Sequence, residues 1–110
     1  MYSQEAQLKI EAEFIRAESA RNIGNEGQAR VCARRAAGEA VRAYLLSQTQ
    51  LLPGTSATDL LNWVQYQLEM PDDVRKAAEN LLVRVTPDYQ LPINVDLIEE
   101  ARKIAEYLGK

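Results

Sequence analysis

Residues 26–46, EGQARVCARRAAGEAVRAYLL, decide the fold. Ala29, Ala33, Ala36, Ala37, Ala40, Val41, Tyr44 and Leu45 recur at steps of three and four, the spacing that brings side chains onto one face of a helix. Arg30, Arg34, Arg35 and Arg42 fall off that face. The apolar face is built mostly of alanine, with Gly38 inside the run. Small side chains let a neighbouring helix come close. The segment is therefore expected to be a central helix, contacted on more than one side.

Outward from this segment the chain carries the same period. Before it, residues 3–22 form a first helix with Ile10, Phe14 and Ala17 on one face. Leu8 and Ile15, seven apart, form a second line. Between the two helices stand Asn22-Ile23-Gly24-Asn25-Glu26-Gly27, whose glycines and asparagines suit a tight turn, with Asn25 or Gly24 as the cap of the second helix. That helix is expected to run to about Thr49, because the following Pro53 and Gly54 break the pattern. Ser56 with Asp59 three residues on has the spacing of a capping box. A third helix follows to about Glu69, with Leu60, Leu61, Val64 and Leu68 facing inward and Trp63 at an edge.

Pro71 suits the first position of a fourth helix, with Asp72 and Asp73 in its first turn. Val74, Ala77, Ala78, Leu81, Leu82 and Val85 give it a core stripe, and it should end near Arg84, ahead of Pro87. Residues 86–93, TPDYQLPI, read as an extended loop. Asn94 is expected to cap a last helix whose stripe is Ile98, Ala101, Ala105 and Leu108. No strand pattern, repeat or low-complexity tract appears. The expected fold is all-α, an up-and-down bundle of four to five antiparallel helices forming one domain over residues 1–110.

Composition narrows the chemistry. The 110 residues carry a net charge of −3 and 26% charged residues, which suits a soluble globule and disfavours wholesale binding to a nucleic-acid backbone. One cysteine, Cys32, permits no internal disulfide and points to a reducing, cytoplasmic setting. No segment has the length or character of a signal peptide or a membrane span. The chain has no histidine, so the usual general base and the commonest metal ligand are both missing. Nothing in it calls for a metal or a cofactor. Asp72-Asp73 and Glu99-Glu100 are adjacent pairs that diverge around a helix, and suit helix N-termini better than a catalytic pair.

Four arginines against two acids give the second helix a local excess of positive charge. Arg30 and Arg34 lie one turn apart on their helix, so they could grip one phosphate or carboxylate together. The simpler alternative is a solvated face, in which Arg35 and Arg42 pair with Glu39. Arg84, with Asp88 and Tyr89, forms a second candidate for a phosphate. There the structural alternative has Arg84 satisfying the last carbonyls of helix four and Tyr89 plugging the bundle end. Cys32, among arginines but without a base, is expected to be a small buried residue.

With these segments in place, the chain resembles the HEPN domain (higher eukaryotes and prokaryotes nucleotide-binding). The likeness rests on the long Ala- and Arg-rich ARVCARRAAGEAVRAYLL, the following SATDLLNWV, the Tyr/Pro loop and the terminal DLIEEARKIAEYL, and spans about residues 10–108. The resemblance implies a four- or five-helix bundle that dimerises, in a prokaryotic protein often encoded beside a minimal nucleotidyltransferase, as in toxin–antitoxin-like pairs. Nuclease members carry an Arg, four to six residues, then a His. Arg84 stands where that Arg would, but Tyr89 lies five residues on and no His follows. The resemblance therefore implies a member without catalysis: a module that binds a nucleotide or RNA, or a nucleotidyltransferase partner. Its candidate phosphate contacts are Arg30, Arg34, Arg84 and Tyr89. The competing expectations are a purely structural interaction bundle and, less favoured, a degenerate ribonuclease.

Overall fold

The computed structural model describes residues 2–85 and 90–110. Its helices are α1 (Gln4–Asn22), α2 (Glu26–Ser47), α3 (Ala57–Gln65), α4 (Asp72–Leu82) and α5 (Leu97–Leu108), and among the described residues there is no strand. The protein is an all-α helical bundle. Helix α2 packs against α1, α5 and α3, while α4 lies against α3 and α5.

The alanine face explains this central position. Ala29, Ala33, Ala36, Ala37 and Ala40 are fully buried, and Val41 and Leu45 with them. Short side chains leave the backbone of α2 accessible to three neighbours at once. Gly38 marks the closest approach: a Cβ placed there would sit 2.9 Å from the Cβ of Ala57 and 3.1 Å from its Cα. The first turn of α3 thus rests directly on the backbone of α2. Phe14, Leu60, Leu61, Leu81, Ile98 and Ile104 fill the remaining core.

Helix ends follow from local chemistry. Gly24, at φ +83°, takes the left-handed position after α1, and the Asn25 N–H donates back to the Ala20 carbonyl at 2.8 Å. Asn25 Oδ1 then accepts from the Gln28 N–H at 3.1 Å and caps α2. Ser56 Oγ accepts from the Asp59 N–H at 3.1 Å and opens α3.

Several expectations are corrected. Helix α2 stops at Ser47, where Thr49 adopts φ 53° and the Gln50 N–H closes onto the Leu45 carbonyl. Helix α3 ends at Gln65, so Leu68 falls beyond it and is exposed. Pro71 is the N-cap of α4 rather than its first helical residue, and α4 ends at Leu82, leaving Val85 exposed. Asp96, not Asn94, caps α5: its Oδ1 accepts from the Ile98 N–H at 3.0 Å. Residues 90–93 carry no regular structure, as expected for that part of the loop, and 94–96 prolong it; residues 86–89 lie outside the description. Among the described residues, no helix is long and apolar enough to cross a membrane.

Candidate functional site

The C-terminal end of α4 is where two of the sequence candidates, Arg34 and Arg84, meet. A helix leaves its last four carbonyls without intrahelical donors. At α4 the donor is Arg34, reaching across from α2. Its Nε donates to the Leu81 carbonyl at 2.7 Å and its Nη2 to the Val83 carbonyl at 3.2 Å. The guanidinium fork matches two carbonyls at once, which an ammonium could not do with the same geometry. This corrects the structural alternative for Arg84: Arg34 holds the Leu81 carbonyl of α4 and that of its C-cap, Val83, and Arg84 is exposed.

Arg34 lines a groove of about 520 Å³ together with Thr58, Leu81, Val83, Arg84 and Val85. Burial and the neighbouring charge of Arg30 both lower its pKa from the ordinary guanidinium value. Arg30 is therefore close enough to be felt, although Arg34 has turned away from it towards α4. Among the described residues, none of Arg30, Arg34 or Arg84 pairs with a carboxylate within 4 Å. Arg34 and Arg84 thus line one groove without a partner acid among the described residues, while Arg30, near Arg34, lies within electrostatic reach of Glu26 as well. Tyr89, the fourth candidate, and Asp88 lie outside the described residues.

The other arginines of α2 behave differently from expectation. Arg35 and Arg42 line a smaller cavity of about 260 Å³ with Glu13, Glu39 and Thr55, but neither comes within 4 Å of a Glu39 oxygen. Glu13 is matched by Arg16 at 3.1 Å, within its own helix. The helical spacing allowed the Glu39 pairs; the long side chains take other rotamers instead. Cys32 is 1% exposed, its Sγ accepting from Gln28 Nε2 at 3.6 Å, as suits a small core residue. Among the described residues no group of three or more acids and cysteines could hold a metal ion.

Two polar clusters escaped the sequence reading. Arg21 holds both oxygens of Glu26, at 3.0 and 2.7 Å, and Asp96 Oδ2 at 2.8 Å, so one guanidinium joins the end of α1, the start of α2 and the cap of α5. Its bonds hold the Glu26 carboxyl below its ordinary pKa. At Asp96, burial pushes upward, but the bonds from Arg21 and from the Glu99 and Ile98 N–H groups outweigh it, and the net shift is down. The second cluster is buried: Asn80 Nδ2 donates to Glu100 Oε1 at 2.7 Å, and Lys103 Nζ meets Glu100 Oε2 at 2.8 Å. A signal for it existed. Glu100 stands between Leu97 and Ile104 on the apolar stripe of α5, where a carboxylate needs a partner.

Compared with models of protein families, with curated proteins and with solved structures, the chain matches none.

Proposed function

We propose that this chain is a non-catalytic, HEPN-like helical module that forms a homodimer and binds the phosphates of a nucleotide or an RNA at the Arg30–Arg34–Arg84 face, in a prokaryotic cytoplasm. The observation that carries the reading is a groove lined by Arg34 and Arg84, neither within 4 Å of a carboxylate among the described residues, with Arg30 close to Arg34, in a chain of net charge −3. Half-buried Arg34 shapes the wall and fixes the end of α4. Arg30 and exposed Arg84 are the groups with donors to give. Phosphate oxygens accept such donors in charge-assisted bonds. With no histidine in the chain, ligand binding accounts for the site better than proton transfer does.

Titration of the purified protein with ATP and with a short single-stranded RNA tests this. Binding is expected, weakening as salt rises, with a salt slope that falls by about 0.7 for each RNA phosphate contact removed. Arg30→Ala combined with Arg84→Ala should lower affinity at least tenfold while leaving helical content intact. Retention of one ligand and not the other separates nucleotide from RNA. If neither binds, the phosphate reading is wrong.

The second reading is an interaction bundle whose partner is a protein, such as a nucleotidyltransferase. It is supported by the exposed apolar side chains Leu8, Ile15, Ile23, Leu51 and Leu68. Failure of both titrations would leave this one standing.

A further inference from the structure

The outer face of α1 is apolar where a surface helix should be polar. Leu8 is 66% exposed and Ile15 64%, and Ile23, just past the helix end, is 82% exposed. The buried face, Ile10, Phe14 and Ala17, points the opposite way. Along the outer face Leu8, Ala12, Ile15 and Ser19 follow steps of four, three and four, the spacing of a coiled-coil seam. Of the other exposed apolar residues, Leu46 lies on the last turn of α2 and Leu51, Tyr66, Leu68 and Val85 stand outside the helices, and they form no such line.

The charges flanking this seam identify what covers it. Lys9 and Arg16 lie along one edge, Glu11 and Glu18 along the other. We infer that the outer face of α1 pairs with the same face of a second copy, the two α1 helices running parallel. A two-fold axis along the helices sets the basic edge of one copy against the acidic edge of the other. Glu11 then falls five residues before the second copy's Arg16, the usual reach of an interhelical ion pair in a parallel coiled coil. A two-fold axis across the helices would instead set acid against acid and base against base. The flanking edges are complementary in one orientation only; Glu5, which continues the seam at its N-terminal end, is exposed and pairs with Lys9 of its own copy at 3.7 Å.

The ion pairs these side chains make within one copy do not oppose the pairing. Glu11 with Arg102 at 3.6 Å joins exposed side chains, where exchange of partners costs little. Arg16 is exposed and meets the largely buried Glu13 at 3.1 Å, and the five donors of its guanidinium can hold Glu13 and the second copy's Glu11 together. Ala12 and Ser19 are small, so the helices can approach closely. A single pair of helices about 28 Å long gives an interface at the small end of stable ones, so the expected association is micromolar.

The pairing rests on the dimer half of the proposed function, but it is tested separately from the phosphate site. Sedimentation equilibrium at about 100 μM, above the expected dissociation constant, should give twice the chain mass. Leu8→Glu with Ile15→Glu should give the chain mass with unchanged helical content. Arg16→Glu should weaken the dimer at least tenfold, and Glu11→Arg added to it should restore association. Under oxidation Leu8→Cys should cross-link to itself, since buried Cys32 does not compete. A monomeric wild type overturns the inference. So does a dimer indifferent to Leu8 and Ile15, or one that cross-links to itself through Ile15→Cys but not through Leu8→Cys, the result for antiparallel helices. Arg30→Ala with Arg84→Ala should leave the mass unchanged, so loss of phosphate binding and loss of pairing are distinguishable.

Discussion

Arg34 Nε donates to the Leu81 carbonyl at 2.7 Å, tying the middle of the second helix to the last turn of the fourth. The same guanidinium reaches the Val83 carbonyl. Helix α4 therefore ends where Arg34 can reach it, and Arg84 is carried to the groove by that ending. Arg34→Ala removes donors from two partly buried carbonyls. It should cost about 1–3 kcal/mol of stability. Arg34→Lys should recover only part, because an ammonium lacks the planar fork. Urea unfolding curves measure both. Equal stability of all three proteins would refute the structural role.

Acid should weaken the protein through Arg21. Glu26 and Asp96 have carboxyl pKa values held below their ordinary 4.5 and 3.8. A carboxylate with a lowered folded pKa stabilises the fold above its ordinary value and loses that contribution as pH falls through the lower, folded one. Wild-type stability should thus decline below about pH 4.5. Arg21→Gln should be less stable near neutral pH, and the gap should narrow on acidification. Both carboxylates are partly exposed, so the amplitude is modest. Thermal midpoints across the range from neutral to strongly acid check the sign.

Gly38 tests the close contact of α2 with α3. Alanine inside a helix is ordinarily favoured over glycine by about 1 kcal/mol. Here the new methyl would meet Ala57, including its backbone, at 2.9–3.1 Å, and α3 must move. Overpacking of this kind costs about 1–3 kcal/mol. Gly38→Ala should therefore fail to stabilise, and Gly38→Val should lower the melting temperature more steeply. A higher melting temperature for Gly38→Ala would show that α3 yields freely.

The buried Asn80–Glu100 bond makes a two-part prediction. Asn80→Ala leaves Glu100 Oε1 buried without its donor, and should cost about 1.5–3 kcal/mol, the range for a hydrogen bond to a charged group. Replacing both residues together by leucine removes the polar requirement as well as the bond. That double variant should be less damaged than the sum of its single variants, as buried polar pairs replaced by apolar ones often are. A double-mutant cycle by chemical denaturation gives the coupling directly.

Much of this architecture could be read from the chain because helical period and helix caps are local. The alanine stripe of α2, the glycine at the α1–α2 turn and the Ser56 cap each act within a few residues. The same locality explains the misses. Leu68 and Val85 continue the apolar period of their helices, but α3 and α4 end before them, and an end is fixed by what the last carbonyls find. Between Asn94 and Asp96 as a cap, the local chemistry was equal; Arg21, from the end of α1, holds Asp96.

The order of apolar and small residues by itself determined that this protein is a helical bundle built around α2, because a 3.6-residue period needs only neighbours along the chain. Where the arginines went was decided by tertiary structure. A long cationic side chain has many rotamers of similar energy, and the carbonyls or carboxylates that choose among them lie on other helices. Arg34 belongs to the end of α4 and Arg21 to the cap of α5 for that reason.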